Sequence, residues 1–130
     1  LTAHHWRLAV NRRLKDLGMS QASWVAVSAI ARNEKPLSQS ELAQELGVES
    51  ATLVPLLNRL VDLGLVERVK TERDKRKRLL IATAKGLEVY QQVKTVADDL
   101  REEILTAITP EEQRQTQRVL EKLLREVEKK

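Results

Sequence analysis

Apolar residues near the start of the chain recur at spacings of four, four and three, as Trp6, Val10, Leu14 and Leu17. That interval stacks them on one face of a helix, which Gly18 is suited to end. Ser20 can cap a second helix carrying Trp24, Val27, Ile30 and Ala31, and the turn-forming stretch from Asn33 to Pro36 breaks it. The segment "LSQSELAQELG" then sets out a third: Ser38 with Glu41 makes a capping box, Leu37 is placed to staple onto Leu42, and Gly47 ends the helix. After a short turn, "ESATLVPLLNRLVDLG" predicts a fourth helix over about 49–63, with Leu53, Leu56, Leu57 and Leu60 inward and Gly64 as its stop.

The pattern then changes. "LVERVK" and "RLLIAT" are short runs rich in Val, Leu and Ile, and they predict two strands of a hairpin over about 65–83. Two short helices joined by a Gly-containing turn suit a helix-turn-helix, whose second helix can lie in a DNA major groove, although an ordinary helical hairpin is the commoner arrangement. A hairpin following directly with a cationic tip favours a winged helix.

Helical spacing returns in the last third, through Leu87, Tyr90, Val93, Ala97, Leu100, Ile104 and Ile108. Thr109, Pro110 and Glu112 supply the cap, first-turn proline and capping-box acid of a final helix bearing Val119, Leu120, Leu123, Leu124 and Val127. A small winged helix offers too little surface to cover both stripes. With the N-terminal helix they suit a homodimer interface that presents two reading helices and two wings to one duplex; a monomeric helical stalk is the alternative. The expected fold is mainly α with a small β-hairpin. It is a single domain over 1–130, with 1–18 and 84–130 as dimerisation helices and 20–83 as the winged helix-turn-helix.

Charge sharpens this picture. The formal net charge is +4, and residues 70–78 alone carry six Lys or Arg against two acids, so the whole excess sits on the expected hairpin tip. A concentrated cationic patch is the footprint of a polyanion binder, and a basic run by itself is also a solvated loop. Composition excludes other chemistry. Cys and Phe are absent and Trp6, Trp24 and Tyr90 are the only aromatics. There is no disulfide framework, thiol switch or thiolate metal site, which suits a reducing cytoplasm. No apolar run approaches the roughly 20 residues that span a bilayer, and no signal peptide is visible.

Together "RLKDLGMSQASWV", "QSELAQELGVESATLVPLLNRLVDLGLVERV", the wing "RDKRKRLLIAT" and the later "ILTAITPEEQ" span nearly the whole chain. In these the sequence resembles the MarR family of transcriptional regulators, and within it the SlyA subgroup. The resemblance implies a triangular homodimer on a near-palindromic operator, with the fourth helices in successive major grooves and the wings at the minor groove. The resemblance also implies a bacterial, cytoplasmic protein that is associated with the nucleoid when bound to DNA. Such proteins repress by blocking polymerase or activate by displacing a nucleoid silencer.

Carried over by position, Arg76 matches the arginine that inserts into the minor groove, where narrow A·T-rich segments concentrate negative potential. Asp74 matches the acid that orients it. Lys70, Arg73, Lys75, Lys77 and Arg78 read as phosphate contacts, which hold position without reading sequence. Ser38 joins them at the start of the third helix, and Ser50, Ala51 and Thr52 occupy the exposed first turn of the reading helix. Pro55 stands where relatives usually carry an arginine, and an interior proline is expected to kink the helix. It also removes a strong guanine reader, so operator preference does not transfer. Asn58 replaces a frequent family Asp, while Arg59 is retained, as an ion-pair partner or a DNA contact.

The resemblance also implies a small aromatic anionic effector between the dimerisation helices and the winged domain, with Trp6, Arg13 and Trp24 on the helices that would line its pocket. Core packing is the competing role for both tryptophans. DNA binding itself requires no cofactor. His4 and His5 are adjacent and diverge on a helix, so they make a poor metal pair. Without Cys the peroxide-sensing branch of the family is excluded. No GxGxxG, Walker, HExxH or GxSxG pattern appears. The acidic pairs Asp98 with Asp99, Glu102 with Glu103 and Glu111 with Glu112 are consecutive, hence solvated rather than catalytic. The remaining alternative to a DNA reader is a winged helix used only for protein contacts.

Overall fold

The computed structural model describes residues 2–71, 73 and 77–130. Six helices and three short strands follow in order: α1 (Thr2–Arg13), α2 (Gln21–Arg32), β1 (Leu37–Ser38), α3 (Gln39–Leu46), α4 (Leu53–Asp62), β2 (Val66–Lys70), β3 (Arg78–Ala82), α5 (Ala84–Leu105) and α6 (Pro110–Glu128). Two compact units result, residues 1–96 and 97–130, and α5 runs through the division.

The expected caps form. Ser20 accepts from the Ser23 N–H at 3.2 Å, and Ser38 and Glu41 close their reciprocal box. Gly47 and Gly64 sit at positive φ, 69° and 74°, where a side chain would be strained. Three expectations are corrected. The first helix stops at Arg13, and a 3₁₀ turn at Lys15–Leu17 fills the gap to Gly18. The hairpin becomes a three-stranded antiparallel sheet in the order β1-β3-β2, with Leu37 opposite Leu80 and Ser38 opposite Leu79. The reading segment divides into a 3₁₀ turn at Ser50–Thr52 and α4. Pro55 is the third residue of α4. Thr52 is itself in right-handed helical conformation and the Leu53 N–H bonds back to the Ser50 and Ala51 carbonyls, so the helical path begins at Ser50 and changes from 3₁₀ to α just before Pro55.

The core of the first unit is aliphatic. Ala26, Val27, Ala29 and Ile30 of α2 meet Leu42 and Ala43 of α3, Leu53, Leu57 and Leu60 of α4, and Leu80 of the sheet. Each fully buried Leu contributes about 1.5–3 kcal/mol through lost apolar hydration. A joint ties the end of α4 to the start of α5. The Thr83 N–H donates to the Leu65 carbonyl at 3.1 Å and its hydroxyl to the Gly64 carbonyl; that hydroxyl also accepts from the Gly86 N–H at 3.0 Å. Lys85 Nζ adds a bond to the Leu63 carbonyl at 3.0 Å. A Cβ on Gly86 would lie 2.1 Å from the Leu65 carbonyl oxygen, so only glycine allows this approach.

In the second unit Leu100 is buried, and the Thr109–Glu112 box starts α6. The α6 stripe stays exposed, from Val119 at 53% to Val127 at 69%. Leu105, Ile108, Leu120 and Leu124 line a shallow apolar groove of about 370 Å³. No helix among the described residues is long and apolar enough to cross a membrane.

Candidate nucleic-acid interface

Helix α3 is anchored by its capping box. Ser38 Oγ accepts from the Glu41 N–H at 3.2 Å, and the Glu41 carboxylate accepts from the Ser38 N–H at 3.1 Å. The Ser38 side chain first, then its backbone N–H and more weakly Lys77, hold the Glu41 carboxyl below its ordinary value of 4.5. Ser38, an expected DNA contact, is buried at 7% exposure with its hydroxyl committed to the cap. Gln39 reaches across the turn, where its Nε2 donates to the Ser50 carbonyl at 3.0 Å. The start of the reading segment is thus held to α3, and Ser50 is half-buried.

Ala51, Thr52, Pro55, Asn58 and Arg59 are exposed, while Leu53, Leu57 and Leu60 face the core. This division follows from the sequence, since apolar residues three and four apart claim one face and leave the other to solvent. Arg59 makes no ion pair among the described residues and stands in solvent. Asn58 accepts a hydrogen bond at 2.8 Å from Arg68 Nη2 on β2.

The hairpin is built from β2 and β3 in register, Val66 opposite Ala82 through Lys70 opposite Arg78. Beyond it the Thr71 N–H donates to the Lys77 carbonyl at 3.4 Å. Lys70, Arg73, Lys77 and Arg78 are exposed. Asp74, Lys75 and Arg76 lie outside the described residues. Lys77 Nζ comes within 3.8 Å of Glu41, an exposed ion pair that solvent screens. Between α3 and the strands lies an open groove of about 640 Å³, lined by Gln39, Ser40 and Glu41 on one side and Arg68, Lys77 and Arg78 on the other.

The residues expected to meet an effector do not gather at one place. Trp24 is buried, donates from Nε1 to Asn11 Oδ1 at 3.2 Å, and borders a cavity of about 700 Å³ with Arg7, Arg32, Leu46 and Leu56. Arg13 borders a different groove, of about 480 Å³, with Leu17 and Gln91. Trp6 is half-buried on α1. Among the described residues no group of three His, Asp or Glu is placed to hold a metal ion.

A model of the MarR family matches residues 17–77. The structure also matches that of transcriptional regulator PA3341 with a TM-score of 0.86 and 36% identity, over 99% of this chain and 94% of that one. The chain belongs to the MarR family. The reduced form of MarR from E. coli matches with a TM-score of 0.81 and 28% identity, covering 94% of this chain and 90% of that one. S. aureus MepR, in a structure described as a MepR–DNA complex, shares the fold with a TM-score of 0.79 at 18% identity, over 96% and 92% of the two chains. This MarR-family chain is thus a winged-helix, DNA-binding transcriptional regulator and not an enzyme.

Sequence reasoning missed Gln39, Asn58 as a partner, and Arg68. Arg68 lay inside a run read only as a strand, and ten residues separate it from Asn58. The period-2 alternation of β2 was the available signal, since it sets Arg68 on the opposite side from Glu67 and Val69.

Proposed function

We propose that this regulator works as a homodimer on a near-palindromic operator. Residues 1–18 and 84–130 supply the dimer contacts and 20–83 read the DNA. One observation carries the reading: a helix-turn-helix whose second helix leaves Ala51, Thr52, Pro55 and Arg59 in solvent leads directly into a hairpin with exposed Lys70, Arg73, Lys77 and Arg78. The helix is suited to base edges and the cations to phosphates, with Arg76 as the minor-groove arginine and Asp74 orienting it. The dimer is supported by the uncovered α6 stripe, a continuous apolar face of a kind rarely left to water. The likeness carried by the quoted motifs supports the reading of a SlyA-like member that acts in the bacterial cytoplasm and at the nucleoid. A small aromatic anion is its candidate effector. Of the expected effector residues Trp24 is the best situated, because Arg7 and Arg32 border its cavity.

The test is binding to a library of A·T-rich duplexes across a salt series, with the native chain, Arg76→Ala and Pro55→Arg. The expected outcome is a steep salt slope, enrichment of an inverted repeat, about tenfold loss for Arg76→Ala and a re-ranked library for Pro55→Arg. Weak binding without selection that ignores Arg76 would replace this reading with a winged helix for protein contacts.

A further inference from the structure

Three cations line the groove between α3 and the wing, and they differ in what meets their charge. Lys77 faces the Glu41 carboxylate at 3.8 Å. Arg78 is exposed and makes no ion pair among the described residues. Arg68 is half-buried in β2 opposite Leu80, which fixes its stem in the sheet. Its guanidinium is held at 2.8 Å by the amide oxygen of Asn58, on the exposed face of the reading helix. An amide oxygen orients a guanidinium without cancelling its charge, whereas a carboxylate does both. The bond uses Nη2 alone, and Arg68 lines the groove. Arg68 therefore stands where the reading helix, the start of α3 and the wing adjoin, aimed by a neutral partner and in no ion pair among the described residues.

We propose that Arg68 is a phosphodiester contact of the DNA-binding surface and that Asn58 is its positioning residue. The inference rests on the DNA-reading function above. A phosphate bound there would receive charge-assisted hydrogen bonds from a guanidinium already oriented, so less side-chain freedom is lost on binding. Because phosphates carry no base identity, the contact strengthens binding to all duplexes alike.

The experiment measures duplex affinity across a salt series and the ranking of a sequence library, for the native chain, Arg68→Gln, Arg68→Lys, Asn58→Ala and the double variant Arg68→Gln with Asn58→Ala. Gln keeps a donor for Asn58 and most of the stem, so the sheet is preserved, and thermal melts confirm it. Arg68→Gln is expected to weaken all duplexes by about tenfold and to lower the salt slope by about one, with the ranking intact. Arg68→Lys is expected to keep the slope. Asn58→Ala should weaken binding about threefold in the native background and have no further effect once Arg68 is Gln, the non-additivity expected of a residue acting through its partner. An unchanged slope in Arg68→Gln, or a re-ranked library, would overturn the phosphate role while the native chain still binds. An additive loss in the double variant would overturn the positioning role. A native chain that binds no duplex would defeat the DNA-reading function and this inference with it.

Discussion

Helices α4 and α6 are amphipathic to a similar degree, yet α4 buries Leu53, Leu57 and Leu60 at 3% exposure or less, while α6 leaves every residue of its stripe exposed. The difference teaches what an apolar stripe does and does not encode. It names the face that seeks cover and says nothing of where the cover comes from. For α4 the cover is close in sequence, supplied by α2, α3 and the sheet within one unit. For α6 the described residues do not supply it, and under the proposed homodimer the cover is a second copy.

The sharpest way to break this comparison is to truncate one Leu in each helix. Leu57→Ala removes a fully buried side chain and should cost about 2–5 kcal/mol in urea unfolding, because the cavity only partly collapses. Leu123 is 57% exposed, so Leu123→Asp should barely alter unfolding of an isolated chain. In sedimentation it should instead weaken self-association by about tenfold or more, on the scale of burying a charge at an apolar contact. A native protein that sediments as a monomer, or a Leu123→Asp dimer as tight as the native one, would remove the distinction.

The next effect concerns the joint between α4 and α5. Gly86→Ala puts a methyl 2.1 Å from a backbone carbonyl oxygen that cannot swing aside. A loss of about 1–3 kcal/mol in thermal unfolding is expected, the usual cost of overpacking. If the protein tolerates it without loss, the first unit is looser than its bonds to Leu63, Gly64 and Leu65 imply.

The smallest effects compare the two capping boxes. Ser38→Ala should cost about 1 kcal/mol, and Thr109→Ala less, since Ser38 is buried and the Thr109 end of α6 is exposed. Glu112 is held below its ordinary value of 4.5 by the Thr109 backbone N–H and hydroxyl, as Glu41 is by Ser38. A depressed carboxylate adds stability that is present above the unfolded-state value and is lost as pH falls through the folded-state one. Glu41→Gln should therefore lower stability at neutral pH and converge on the native chain as the medium is acidified below 4.5. A difference that stays constant across that range would show that the charge of Glu41 adds nothing to the cap.

Much of the fold was legible because its signals are local. The boxes at Ser38 and Thr109, the glycines at 47 and 64, and the i, i+3, i+4 stripes each lie within a turn or two of chain. The misses share a physical cause. A two-residue β1 has no periodicity to detect, and its pairing with β3 spans some forty positions. The change from 3₁₀ to α just before Pro55 could not be read either, because the 3₁₀ turn is one that Gln39 ties to α3. The site divides likewise. Charge run and exposed helix face could be read directly, whereas the bond from Arg68 to Asn58 and the separate cavities of Arg13 and Trp24 could not.

The sequence by itself determined the order of the helices and of the hairpin, the apolar face of each helix and the siting of the whole charge excess on one hairpin. These depend on propensity, capping and periodicity, which act between residues a few positions apart. Only the tertiary structure decided that Leu37 and Ser38 extend the sheet, that Gly86 admits the Leu65 carbonyl, and that a neutral amide aims Arg68 while Lys77 faces a carboxylate. Those outcomes turn on which distant atoms come within bonding reach, and that distance is set by packing across the core rather than by spacing along the chain.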